Sequence, residues 1–282
     1  MADAYPRNDS PRPETETGVG VAVAQFRPGT DEPANLAEMR GLVAVAAGRG
    51  ASLVVFPEYS AFCEVPLGPA SLAAAQPLDG RFVSAIGDLA REFAVFIVAG
   101  MLEATDDPTR FSNTLVAVDP SGVRVATYRK LHLYDAFGQR ESDVVLAGEI
   151  GHPETFEVRG LTVGMQTCYD TRFPEVTRRI VDAGADVVLV PAEWMRGPLK
   201  EHHWRVLLTA RALENTVYVV AADQAPPIGV GQSMIVDPMG VEIVTIGETT
   251  DVAVGWLSSE RIAAVRAVNP ALAHRRFGVV PR

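Results

Sequence analysis

The same order of apolar strands and amphipathic helices runs through this chain twice, and that duplication limits the folds open to it. Residues 19–26, VGVAVAQF, form a continuous apolar run of the kind seen in strands buried on both faces. Residues 31–48 follow at helical spacing, with Leu36, Met39, Leu42, Val43 and Ala46 on one face and Asp31 or Asn35 as the cap. A second buried strand, SLVVFPE, ends at Glu58, and residues 59–76 are loop-like, with Pro66, Gly68 and Pro69. Residues 79–93 predict a helix and 95–103 a strand. Residues 112–118 and 123–129 predict a hairpin turning at Asp119-Pro120-Ser121-Gly122.

The second pass keeps this order. It has a strand at 161–166, a helix at 174–184, a strand at 186–193, a helix at 200–216 and a strand at 217–223. A hairpin turns at Asp237-Pro238-Met239-Gly240, and a strand near Gly255, a helix at 258–268 and an arm close the chain. Gln25 matches Gln166, Pro57 matches Pro191, and the two Asp-Pro-x-Gly turns match each other. Two β-α-β-α-β-hairpin halves predict an α/β fold in which two sheets pack face to face with helices outside, a four-layer αββα sandwich. Residues 18–282 are expected to form one domain with 270–282 as a C-terminal arm. Residues 1–17, polar and rich in proline, read as a disordered tail and not a signal peptide.

Charge and cysteine usage narrow the function. A net charge of −10 with no basic stripe argues against a nucleic-acid partner. Two cysteines, Cys63 and Cys168, do not make a disulfide framework, which fits a reducing, cytoplasmic setting. No apolar run approaches the ~20 residues of a membrane span. His202 and His203 are neighbours on a helix, so they point ~100° apart and cannot share a metal, and no spacing elsewhere suits zinc. The Gly229-Val230-Gly231 triplet is half of a dinucleotide fingerprint, but a strand follows where a helix is required. No metal or cofactor is expected.

Three chargeable groups stand directly after apolar sequence, where an α/β sheet presents its ligands: Glu58, Lys130 and Cys168. Cys168 closes the strand LTVGMQ, and a turn, Tyr169 to Arg172, leads to Pro174 and the next helix. Helix-end dipoles at such a corner are expected to lower the thiol pKa from about 8.5 towards neutrality. A carboxylate beside it serves as general base, and an ammonium stabilises a tetrahedral oxyanion. Together they describe acyl transfer through a thioester. The alternatives are a buried structural cysteine and solvated strand ends.

The segments FPEYS, YRKLHLYD and CYDTRFPE, around Glu58, Lys130 and Cys168 in that order, resemble the three signature blocks of the nitrilase superfamily, the carbon–nitrogen hydrolases. The similarity covers about residues 18–275. It implies a Glu58–Lys130–Cys168 triad on a nitrilase-like αββα fold that forms homodimers or higher homo-oligomers. Glu141 resembles the second glutamate by which amidase branches position the lysine. Tyr169 would lend its N–H to the oxyanion hole, and Glu193 and Trp194 would line the pocket. Arg172 resembles an arginine that binds a substrate carboxylate in relatives acting on acidic substrates; the alternative is an ion pair with Glu175 or another acid. His132 reads as a packing and hydrogen-bonding residue, and Cys63 as a spare thiol. Tyr-Asp-Thr-Arg-Phe-Pro-Glu after the cysteine resembles the omega-amidase and deaminated-glutathione amidase branch, which implies a small-molecule amide substrate. N-carbamoyl amino acid hydrolysis, nitrile hydrolysis and acyl transfer are the alternatives.

Overall fold

The structure, a computed structural model, describes residues 18–282, so the expected N-terminal tail, 1–17, lies outside the described residues. The first pass comprises β1 (Val19–Gln25), α1 (Glu32–Gly48), β2 (Leu53–Val55), α2 (Pro69–Ala74), α3 (Arg81–Phe93), β3 (Phe96–Ala104), β4 (Phe111–Val118) and β5 (Arg124–Arg129). The second comprises β6 (Thr155–Val158), β7 (Leu161–Met165), α4 (Pro174–Asp182), β8 (Val187–Ala192), α5 (Lys200–Asn215), β9 (Tyr218–Asp223), β10 (Met234–Val236) and β11 (Glu242–Thr245). β12 (Asp251–Leu257) and α6 (Ser259–Val268) follow.

The chain makes two six-stranded sheets, the second pass supplying all of one and the first pass five strands of the other, with β12 as its sixth. The orders are β12-β1-β2-β3-β4-β5 and β6-β7-β8-β9-β10-β11. β1, β2 and β3 are parallel to one another, as are β7, β8 and β9, and the other pairings are antiparallel. The two sheets therefore share one topology, as the matched glutamines, prolines and turns required. β12 takes the place beside β1 that β6 takes beside β7.

Alternation decides the layers. Val21, Val23, Leu53, Val55 and Val98 of the first sheet meet Val163, Met165, Leu189 and Val220 of the second in a central apolar layer. Their neighbours Ala22, Val54, Ile97 and Val116 face Met39 and Val43 of α1 and Phe82 and Ile86 of α3. In the second sheet Val188, Val190 and Val219 face Ile180 of α4 and Trp204 and Leu208 of α5. Strands apolar on both faces can be stable only between two such layers. The αββα order follows.

Local chemistry sets the ends. Asp31 caps α1, accepting from the Ala34 N–H at 3.2 Å, whereas Asn35 braces the preceding loop through Gly29 and Ala61. Two elements are not in the sequence reading. α2 lies in the segment expected to be loop, and β6 is a four-residue strand, too short to register as a period. Among the described residues no helix is long and apolar enough to cross a membrane.

Candidate active site

Glu58 stands three residues past the end of β2. The chain passes close to β3 there: a Cβ on Gly100 would lie 2.6 Å from the Tyr59 nitrogen and 2.8 Å from the Glu58 Cα. Only glycine allows that approach. Lys130 continues β5, its N–H bonded to the Asn113 carbonyl at 2.9 Å, and its side chain is 2% exposed. Cys168 opens a 3-10 turn, Cys168–Arg172, between β7 and α4. Its φ of +43° lies in the left-handed region, uncommon for a residue with a side chain and concentrated at functional sites.

These groups converge. The Lys130 ammonium donates to Glu58 Oε1 at 2.9 Å and to Glu141 Oε1 at 3.0 Å. Glu141 also accepts from Tyr59 Oη at 2.8 Å, from Asn113 Nδ2 at 3.1 Å and from the Tyr134 N–H at 2.6 Å. Asn113 Nδ2 donates to Glu58 Oε1 as well, at 2.6 Å. The peptide groups of Glu193 complete the set: its N–H donates to Glu58 Oε2 at 2.6 Å, and its carbonyl lies 3.6 Å from Cys168 Sγ. Glu58, Lys130, Glu141 and Cys168, with Tyr169, Glu193 and Trp194, line one cavity of about 340 Å³. A larger cavity, about 1140 Å³, lies against Arg129, His132 and residues 278–282 and touches none of Glu58, Lys130 and Cys168.

The electrostatics correct one expectation. Burial, then Glu58, push the Cys168 thiol well above its ordinary value, against the pull of Lys130. The thiol is not acidified. A 3-10 turn of five residues offers little dipole, and Glu58 and Glu141 stand beside the sulfur in a buried setting. Burial alone would lower the pKa of Lys130, but Glu141 and Glu58 outweigh it and hold the amine charged. Burial likewise raises Glu141, and Lys130 with its hydrogen bonds reverses the sign, so Glu141 is a carboxylate. Glu193, lining the cavity, is pushed well up by burial and then by Glu58.

The remaining sequence-derived residues fall in different places. Trp194 is buried, its N–H bonded to Asp223 Oδ1 at 2.7 Å and its indole N–H to the Lys200 carbonyl at 2.9 Å. Tyr169 packs edge-on against Tyr134 and Phe173. Arg172 is not among the lining residues: its guanidinium lies 5.0 Å over the Trp194 ring and within 3.3 Å of His203 Nδ1. It makes no ion pair among the described residues, with Glu175 or any other acid. His132 is stacked on Phe173 and bonded to Asp170, which also accepts from Tyr128 and so ties the Lys130 strand to the Cys168 turn. Cys63 is buried against Gln224, outside the lining. Val230, inside the Gly-Val-Gly triplet, bonds through its N–H to the Trp194 carbonyl, a scaffolding contact. Among the described residues no group of three or more His, Cys, Asp or Glu could hold a metal ion.

The sequence reading missed Asn113, Tyr134, Asp223 and Lys200. Asp223 ends a buried strand, the same signal that picked out Glu58 and Cys168. Lys200 opens a helix and carried no such signal.

Comparison with known proteins agrees with this geometry. Residues 20–267 match the family model described as Carbon-nitrogen hydrolase. The chain is 41% identical over 259 residues to a deaminated glutathione amidase of Escherichia coli O157:H7, covering 91% of this chain and 97% of that protein. It superposes on the C. elegans NitFhit protein with a TM-score of 0.83 at 29% identity, covering 92% of this chain and 66% of that one. It superposes on an amidase double mutant from Nesterenkonia sp. AN1 in complex with acrylamide with a TM-score of 0.79 at 25% identity, covering 95% and 96%.

Proposed function

The chain belongs to the carbon–nitrogen hydrolase family, and from that premise we propose that it is a cofactor-independent amidase acting through a cysteine thioester. One observation carries the reading: Cys168 opens into the cavity where Glu58, Lys130 and Glu141 are joined by hydrogen bonds of 2.9–3.0 Å. The Cys168 proton passes to Glu58 as the sulfur bonds to the amide carbonyl carbon. The oxyanion forms against the Lys130 ammonium and the Tyr169 N–H. Glu58 returns the proton to the nitrogen as the C–N bond breaks and ammonia or an amine departs. A water then gives its proton to Glu58 and its oxygen to the acyl carbon, and the C–S bond breaks with the thiol reprotonated. Glu141 does not exchange protons in this scheme; it holds Lys130 charged and aimed.

The substrate class is the amide of a small dicarboxylic acid. The deaminated glutathione amidase likeness supports it, as does a cavity near the lower limit of small-molecule sites, about 300 Å³. The test is a panel of small amides and carbamoyl amino acids, read by ammonia release and by intact-mass detection of an acyl adduct on Cys168. Turnover and adduct in the wild type, both lost in Cys168→Ala, are the expected results. Activity surviving in Cys168→Ala overturns the mechanism, and product formed only with an added amine acceptor converts the reading to acyl transfer.

A further inference from the structure

The cavity has a chemically distinct second side. Lys200, the first residue of α5, is 4% exposed and lines the same cavity as Cys168. Its Nζ donates to Tyr134 Oη at 3.1 Å and stands 4.6 Å from the Trp194 ring centroid, 4.9 Å from that of Tyr134 and 5.0 Å from that of Phe137. Among the described residues it makes no ion pair, and the acid whose field reaches it, Asp223, is bonded to the Trp194 N–H. Aromatic faces stabilise an ammonium but do not neutralise it. The adjacent cation aggravates the imbalance: Arg172 lies over the same Trp194 and Phe137 rings, also without an acid. Burial above all, with Arg172 and against Cys168 and Asp223, holds the Lys200 pKa below its ordinary value. Two cations around one indole, with an unfilled cavity on the side of one of them, make a place for an anion.

Position tells which part of a substrate supplies it. Tyr134 spans the two ends: its backbone N–H bonds Glu141, and its hydroxyl takes the Lys200 ammonium. The two cations are therefore separated by about the length of a tyrosine, Lys130 among the glutamates and Lys200 among the aromatics. A substrate carboxylate is repelled at the Glu58 and Glu141 side and attracted at the other. We propose that Lys200 recognises a carboxylate at the far end of the acyl chain whose amide lies against Cys168, so that it, and not Arg172, makes the direct contact that selects dicarboxylic acid monoamides. This rests on the amidase reading above. Arg172, outside the lining, acts on the anion only through Trp194 and the local field.

The experiment compares succinamate and glutaramate with a neutral near-isostere, 4-oxopentanamide, on wild type, Lys200→Met and Lys200→Arg. Loss of a charge-assisted contact predicts that Lys200→Met lowers the ratio of anionic to neutral kcat/KM by about 10- to 100-fold, mainly through KM, with partial recovery in Lys200→Arg. A purely structural pillar lowers both substrates together, and that result overturns the proposal, as does a ratio moving by less than about two-fold. If the methionine variant does not fold, Lys200→Gln and the wild-type preference decide; a wild type that favours the neutral amide overturns the proposal. A second arm needs no turnover: 4-oxopentanoate, with one carboxylate and a neutral far end, is expected to protect Cys168 from iodoacetamide in the wild type and to fail in the variant. Should no amide be hydrolysed, the amidase reading fails while this arm still judges Lys200, equal protection in both proteins counting against it.

Discussion

Replacing Glu141 by glutamine tests whether the second glutamate holds the site together. The carboxylate receives donors only: Tyr59 Oη, Asn113 Nδ2, the Tyr134 N–H and the Lys130 ammonium, which reaches both oxygens. A glutamine amide must turn its NH2 towards one set. Facing Tyr134 it confronts an N–H; facing Tyr59 and Asn113 it confronts two donors, and in either orientation it confronts Lys130. At least one charge-assisted bond worth about 1.5–3 kcal/mol is lost, and Lys130 keeps a single carboxylate partner in a buried setting. We expect about 3 kcal/mol less stability at pH 7 by urea unfolding, and a fall in kcat/KM of about 100-fold or more as the ammonium loses its aim. The pH dependence fixes the sign. Glu141 has a lowered folded pKa, because Lys130 and its hydrogen bonds outweigh burial. Its contribution is present above the unfolded glutamate value of about 4.3 and disappears as pH falls through the folded value. The stability gap between wild type and Glu141→Gln should therefore close below about pH 4. A gap that stays constant with pH, or a variant with wild-type kcat/KM, refutes the assignment.

Two further substitutions probe the supports. Asp223 carries a buried, unpartnered Oδ2 and is pushed well up by burial, so the fold keeps a proton that the unfolded chain releases near pH 4. The Asp223 contribution to stability then falls by about 1.4 kcal/mol per pH unit above that point until the folded value is reached, and Asp223→Asn, which keeps the acceptor for the Trp194 N–H, should remove this slope; parallel unfolding free energies would refute it. Gly100→Ala drives a methyl to 2.6 Å from the Tyr59 nitrogen and should displace Glu58, costing about 1–3 kcal/mol and about 10- to 100-fold in kcat; an unchanged kcat would show that Glu58 tolerates the shift.

Much of the architecture was legible because it rests on local periodicity. Runs such as VGVAVAQF and VYVVAAD have no polar face, so they must be covered twice, and the matched turns at Asp119 and Asp237 fixed the duplication. Glu58, Lys130 and Cys168 were legible as charges at strand ends. What failed was anything summed over groups distant in the chain. The Cys168 pKa is set by burial and by Glu58 and Glu141, none of which a turn dipole reports. Arg172, four residues past the nucleophile, was expected to bind a substrate carboxylate or to pair with an acid, yet it lies over Trp194 without an ion pair while Lys200 occupies the lining. Asn113 sits inside the buried strand FSNTLVAV, between Ser112 and Thr114, with no strand-end position to mark it, although it bridges both glutamates.

A thiol with a raised pKa is an odd nucleophile until charge is counted over the whole buried cluster. Releasing the Cys168 proton to solvent adds a further negative charge beside Glu58 and Glu141, which Lys130 opposes, and burial resists it. Passing the same proton to Glu58 creates one anion and removes another, so the net charge of the cluster does not change and the desolvation cost largely cancels. The Glu193 peptide supports that exchange, since its N–H holds Glu58 and its carbonyl faces the sulfur. In the proposed mechanism, bonding of the sulfur to carbon moves the negative charge to the carbonyl oxygen, against Lys130, while Glu58 stays neutral. A raised thiol pKa is therefore compatible with attack in the proposed mechanism, because the proton moves to Glu58 as the carbonyl receives the charge.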